Sequence, residues 1–193
     1  MPKTTTFTKE KVLAQAISCF YKKGYHGTSM QDLVDTTELN RSSIYNSFGS
    51  KMDLYQAALR FHQKQRFAVL QKILMKAGNP REALQFIFNE IITQIVESND
   101  DKGPFEINCL SEMATQNKAV KQLLLQSQEH QLNFFENVIK EGQKRGLINE
   151  RQTAVEYGHL IFSAYQGIQV MGILIKDKHI LEITAQNTLR TLM

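Results

Sequence analysis

The sequence has no tryptophan, three prolines and two cysteines in 193 residues. Two thiols, Cys19 and Cys109, are too few for the disulfide framework of a small secreted domain. Prolines only at positions 2, 80 and 104 leave long stretches without the punctuation that a turn-rich β protein needs. No apolar run reaches the roughly 18–20 residues of a membrane span. The longest candidate, around Leu160–Ile175, is interrupted by Gln166, Gly167, Gln169 and Gly172. No charged stretch followed by an apolar run and a cleavage site opens the chain, so no signal peptide is expected and the cytoplasm is the expected location. No Gly-rich phosphate loop, nucleophile elbow or paired-carboxylate constellation stands out, and no enzyme activity is expected. The five histidines (His26, His62, His130, His159 and His179) lack metal-ligand spacing, so neither a metal nor a cofactor is expected.

What is present is helical periodicity and an uneven charge. The net charge is only +4, yet residues 1–66 hold ten Lys/Arg against five acids, a net of +5. The remaining 127 residues hold 13 bases and 14 acids. A basic head on a near-neutral body is the distribution expected of a nucleic-acid-binding chain.

Apolar residues recur at three- and four-residue spacing throughout, which predicts an all-α fold of about nine helices. Thr8 reads as the cap of a first helix ending at Gly24. Thr28 or Ser29 caps a short second helix over 30–36, and Asn40 caps a third over 41–48. Ser50 caps a long fourth helix over 51–76. Gly78-Asn79-Pro80 then breaks the chain before a fifth helix over 81–97. The loop Asn99–Pro104 precedes a sixth helix, to about Thr115. Helices over 118–144, 152–175 and 179–192 complete the chain.

The second and third helices and their tight turn form a helix-turn-helix unit. Leu33, Val34, Leu39, Ile44 and Phe48 are spaced to close a small core. Arg41, Ser42, Ser43, Tyr45 and Asn46 are left on the outside of the third helix. Arg41 can reach a guanine edge or a phosphate, and Asn46 can pair with adenine. Amides at the starts of the second and fourth helices, near Thr28 and Ser50, offer places for anions.

The phrases FYKKGYHGTSMQDLV and LNRSSIYNSFGSKMDLYQAAL, over residues 7 to about 60, resemble the DNA-binding head of the TetR/AcrR family of bacterial transcriptional repressors. The resemblance implies that the third helix reads the major groove. It also implies that Tyr45, Lys51 and Thr28 contact phosphate. The expected DNA-facing set is then Thr28, Ser29, Asn40, Arg41, Ser42, Ser43, Tyr45, Asn46 and Lys51. Glu38 departs from the pattern, because the family usually has glycine in this turn. A left-handed glutamate there would cost about 1 kcal/mol.

The resemblance divides the chain into a head, 1–50, and a ligand-binding and dimerisation body, 51–193. It implies a homodimer built through the last two long helices and a palindromic double-stranded operator. The eighth helix is apolar on nearly all sides and carries Gly158, Ser163, Ala164, Gly167 and Gly172, which suits such a face. The resemblance further implies a lipophilic small-molecule effector among the fourth to eighth helices. The candidate lining is Phe61, His62, Phe86, Phe105, Met113, Phe134, Tyr157, Phe162 and Tyr165. GPFEINCLSEMA resembles the segment that opens the sixth helix in the family. Cys109 within it offers an alternative input, a thiol that senses oxidants or electrophiles. Another alternative is a helical interaction adaptor that does not bind DNA. Glu112, Glu129 and Glu136 read as solvated or helix-pairing residues.

Overall fold

The structure, a computed structural model, describes residues 8–98 and 103–193. Among them are nine α-helices: α1 (Lys9–Gly27), α2 (Met30–Thr37), α3 (Arg41–Phe48), α4 (Lys51–Lys76), α5 (Pro80–Glu97), α6 (Phe105–Met113), α7 (Lys118–Lys144), α8 (Ala154–Met171) and α9 (Lys178–Arg190). The expected loop at Asn99–Pro104 lies outside the described residues except for Gly103 and Pro104.

The starts of these helices follow from short polar side chains. The Thr8 hydroxyl accepts the Lys11 amide, and the Asn40 and Asn79 side chains accept the amides of Ser43 and Glu82. Ser29 with Asp32, and Thr153 with Glu156, form reciprocal capping boxes. Pro80 is the first residue of α5 rather than part of the preceding break, because the first helical amide needs no partner. Two ends differ from expectation. Gly24, at φ 72° and ψ 174°, breaks α1 without ending it. Helix α8 stops before Gly172, four residues short of the expected Ile175. The Ile173–Ile175 amides instead bond to carbonyls three or four residues back.

The chain forms two compact units. The first comprises the residues up to Arg66 together with Phe105–Leu124. Its core holds Ala16, Cys19 and Phe20 of α1, Leu33 of α2 and Ile44 of α3. Leu54, Tyr55, Ala58 and Leu59 of α4 and Phe105, Cys109 and Met113 of α6 complete it. Tyr55 is its centre, with the Phe20 and Tyr25 rings edge-on at 4.9 and 5.0 Å. The first half of α4 and all of α6 thus pack with α1–α3, so compactness does not follow a boundary at residue 50.

The second unit comprises Phe67–Pro104 and Leu125–Met193. In it α5 packs against α8 and α9 and buries Leu84, Ile87, Phe88, Ile91 and Ile92. Asn149 ties down the chain end. Its amide group donates to the Thr191 and Met193 carbonyls at 2.9 Å each, and its side-chain oxygen accepts the Tyr157 hydroxyl at 2.7 Å.

Glu38 closes α2 at φ 58° and ψ 18°, the one left-handed non-glycine among the described residues. The side chain is exposed, so nothing buried offsets the steric cost. Glu38→Gly should therefore stabilise the protein by about 0.5–1 kcal/mol in chemical denaturation, with the helical content unchanged. A loss of stability would show that the glutamate side chain compensates for its backbone.

Candidate nucleic-acid interface

Helix α3 is held by Ile44, which is fully buried against Leu33, with Val34, Leu39 and Phe48 packed around the pair. That fixes which side faces out. Arg41, Ser42, Tyr45 and Asn46 are exposed, spaced i, i+1, i+4 and i+5 on one face, and Ser43 is half-buried beside them. Tyr45 is 44% exposed, a large ring left in water on a short helix. Asn40 is exposed too, but its side-chain oxygen is engaged as the cap on Ser43 at 2.8 Å.

The other expected phosphate contacts are placed differently. Thr28 is buried, and its hydroxyl donates to the Gly24 carbonyl at 2.6 Å. The Lys51 ammonium donates to the Tyr25 and Thr28 carbonyls at 2.9 and 2.8 Å and lies 4.3 Å over the Tyr25 ring. Its donors are turned into the fold, so Lys51 holds the α1–α2 corner where sequence reasoning had placed it on phosphate. Ser29 is exposed, but its amide and hydroxyl both donate to Asp32. Asp53 accepts the same pair of bonds from Ser50. The anion places expected at the starts of α2 and α4 each already hold a carboxylate. These bonds keep Asp53 below the usual carboxylate range.

The corner after Gly24 has a second clamp that sequence reasoning missed. Both oxygens of Glu112, on α6, accept backbone amides: Tyr25 at 2.8 Å and His26 at 3.0 Å. His26 also meets Gln116 at 2.9 Å. Glu112 is therefore neither simply solvated nor a helix-pairing residue. A Cβ at position 24 would lie 2.9 Å from its carboxylate, and φ 72° independently requires glycine there. Gly24 was legible as a break, but nothing in the sequence pointed from it to a residue 88 positions on.

Cys109 does not suit thiol sensing. It is 1% exposed in the first unit's core, and burial pushes its thiol up to about 12. The nine expected effector-lining residues are divided between the units. Phe61, His62, Phe105 and Met113 belong to the first, where burial draws His62 down to about 4 and its neutral ring packs edge-on to Phe105 at 5.4 Å. In the second, Phe86 is exposed on the surface. Tyr157, Phe162 and Tyr165 pack with the core, Phe162 and Tyr165 against Phe135. Only Phe134 borders a cavity described in that unit, a trough of about 710 Å³ between α4, the start of α5 and α7. Its other walls include Phe67, Gln71, Met75, Pro80 and His130, which the sequence reading did not select.

The model of the tetR family of bacterial regulatory proteins matches residues 12–58, from α1 into α4. The chain carries a TetR-family DNA-binding head. It is 25% identical over 155 residues, 80% of each chain, to YezE, an uncharacterized HTH-type transcriptional regulator of Bacillus subtilis. Over 94 residues it is 34% identical to IcaR of Staphylococcus aureus, the HTH-type negative regulator of the biofilm operon icaADBC, spanning 46% of this chain and 48% of IcaR. Its fold is similar to that of a cysteine mutant of the TetR-family regulator CifR complexed with a 26 bp operator duplex. The TM-score is 0.83 at 20% identity, over 97% of this chain and 98% of CifR. Among the described residues, no helix is long and apolar enough to cross a membrane, and no group of His, Cys, Asp and Glu could hold a metal ion.

Two measurements test this arrangement. Replacing Glu112 with Gln sets an NH2 against an amide, and should cost about 2 kcal/mol of stability. Native protein should resist a disulfide reagent at pH 8, with both thiols reacting only in denaturant. A fast reaction of one thiol in the folded protein would restore the sensing alternative.

Proposed function

We propose that this regulator is a homodimeric repressor that reads a palindromic operator through α3 and is released by a small-molecule effector. The observation that carries the reading is the outward face of α3. It bears one guanidinium, one carboxamide, one phenol and a hydroxyl, mounted on a helix whose opposite side is locked by Ile44 and Leu33. Arg41 and Asn46 are the base-reading pair, Ser42 and Ser43 line the groove, and Tyr45 meets the backbone. Residues 1–50 act as the reading head and 51–193 as the body that pairs heads and takes the effector. Its place of work is the cytoplasm, beside the DNA it controls.

Pairing is supported by the outer side of α8 and α9. Val155, Leu160 and Val170 of α8 are exposed, as are Leu174 just beyond its end, at 89%, and Ile180 and Ile183 of α9. Exposed aliphatic side chains in this number suit a partner site. A second copy suits it, because two heads are needed to read two half-sites. Not all the small residues serve that purpose. Gly158 lies against Glu136 and Gly172 against Ile95 within the unit, whereas a Cβ at Gly167 would meet nothing within 4 Å. IcaR's description as a negative regulator supports repression, and CifR's operator complex supports a duplex partner. Release follows if an effector binds better to a conformation whose heads are wrongly spaced.

Selection from random duplexes should return a palindrome. Arg41→Ala should then lose about 1–3 kcal/mol of discrimination at one base pair of each half-site. Val170→Asp should yield a folded monomer in sedimentation that no longer holds the palindrome. A dimer that enriches no duplex sequence would instead point to the interaction adaptor.

A further inference from the structure

The trough in the second unit has a lining that selects among ligand chemistries. We propose that it takes an uncharged, elongated, ring-bearing molecule with carbonyl or hydroxyl groups along one edge. The proposal rests on the effector reading above and gives that effector a site and a class.

The argument begins with α7. His130, Phe134 and Val138 follow one another at i, i+4 and i+8, and so do Asn133, Asn137 and Glu141. Two parallel stripes thus border the trough, one of rings and aliphatic carbons, one polar. Eight residues of helix span about 12 Å, the length of three or four fused rings. Across from them, α4 supplies Phe67, Gln71 and Leu74. The Phe67 and His130 rings lie 4.9 Å apart with planes 7° apart, which makes a flat aromatic wall. A volume of about 710 Å³ falls within the range of small-molecule sites.

The polar groups decide the class. The carboxamides of Gln71, Asn133 and Asn137 each donate and accept, which suits carbonyl and hydroxyl groups and neutralises no charge. No lysine or arginine lines the trough, and its one carboxylate is that of Glu141. An anion would enter unpaired and face a like charge. A cation would find a single exposed carboxylate, a weak partner in water.

Three fused-ring fluorophores test this with the full-length dimer. They are Nile red (uncharged, with a ring carbonyl), anilinonaphthalene sulfonate (anionic) and proflavine (cationic). Nile red should bind with blue-shifted emission, and the two charged dyes about tenfold more weakly or not at all. Gln71 and Asn137 are both exposed, so Gln71→Trp and Asn137→Leu should fold, as circular dichroism will check. Gln71→Trp fills the trough and should abolish Nile red binding. Asn137→Leu should weaken it roughly fivefold by removing an edge hydrogen bond. Undiminished binding by Gln71→Trp, or tighter binding of either charged dye, overturns the proposal. Adding Nile red to the complex with the selected operator separates it from the reading beneath. Binding that Gln71→Trp blocks, without release of DNA, upholds the site and sinks the effector role. Release by a compound that still acts on Gln71→Trp upholds the effector role and overturns the trough as its site.

Discussion

The corner between α1 and α2 is where the DNA-reading unit is held together. Gly24 turns the chain out of helical geometry and leaves the amides of Tyr25 and His26 without intrahelical partners. The Glu112 carboxylate takes both, and the Lys51 ammonium takes the Tyr25 and Thr28 carbonyls beyond them. One short segment is thus gripped by an anion from α6 and a cation from α4. Charged partners make these hydrogen bonds stronger than neutral ones. The angle at which α2 and α3 leave α1 is set at this corner, so α4 and α6 have direct purchase on α3.

That grip explains what could be read in the sequence and what could not. Thr8, Asn40 and the Ser50 start were legible because capping acts over three residues. The inward face of the helix-turn-helix was legible because its core is local and periodic. Lys51 and Thr28 carried a family role on phosphate, and local spacing gave no sign that Lys51 reaches carbonyls 23 and 26 positions earlier. Glu112 was hidden for the same reason. A carboxylate on a helix looks solvated until the fold brings unpaired amides to it. Glu38 was the reverse case, where a single unexpected residue type in a turn announced its own left-handed backbone.

In the body, periodicity revealed helices more readily than it revealed what their faces do. Ring-bearing residues and Met113 supplied the nine effector candidates, and most pack in the cores. Rings are the bulkiest means of filling the space between helices. The trough is lined as much by carboxamides as by rings. Its signal, two stripes each repeating every four residues along α7, mixes polar and apolar residues and passes for an ordinary amphipathic surface. The exposed aliphatic face of α8 and α9 is similarly mute in sequence, because Val170 and Leu174 read no differently from the buried Ile161 and Ile168.

The lysine clamp bears on how ionic conditions tune this regulator. Affinity for DNA falls with salt in proportion to the number of cations on the duplex that the protein displaces. The ten bases of residues 1–66 overstate that number. Lys51 is engaged with backbone carbonyls, and Lys23 is paired with Asp32. With fewer counterions displaced, a larger share of the proposed grip on an operator falls to the short polar face of α3. Such a head would keep its choice of sequence across swings in ion concentration that loosen more heavily charged competitors.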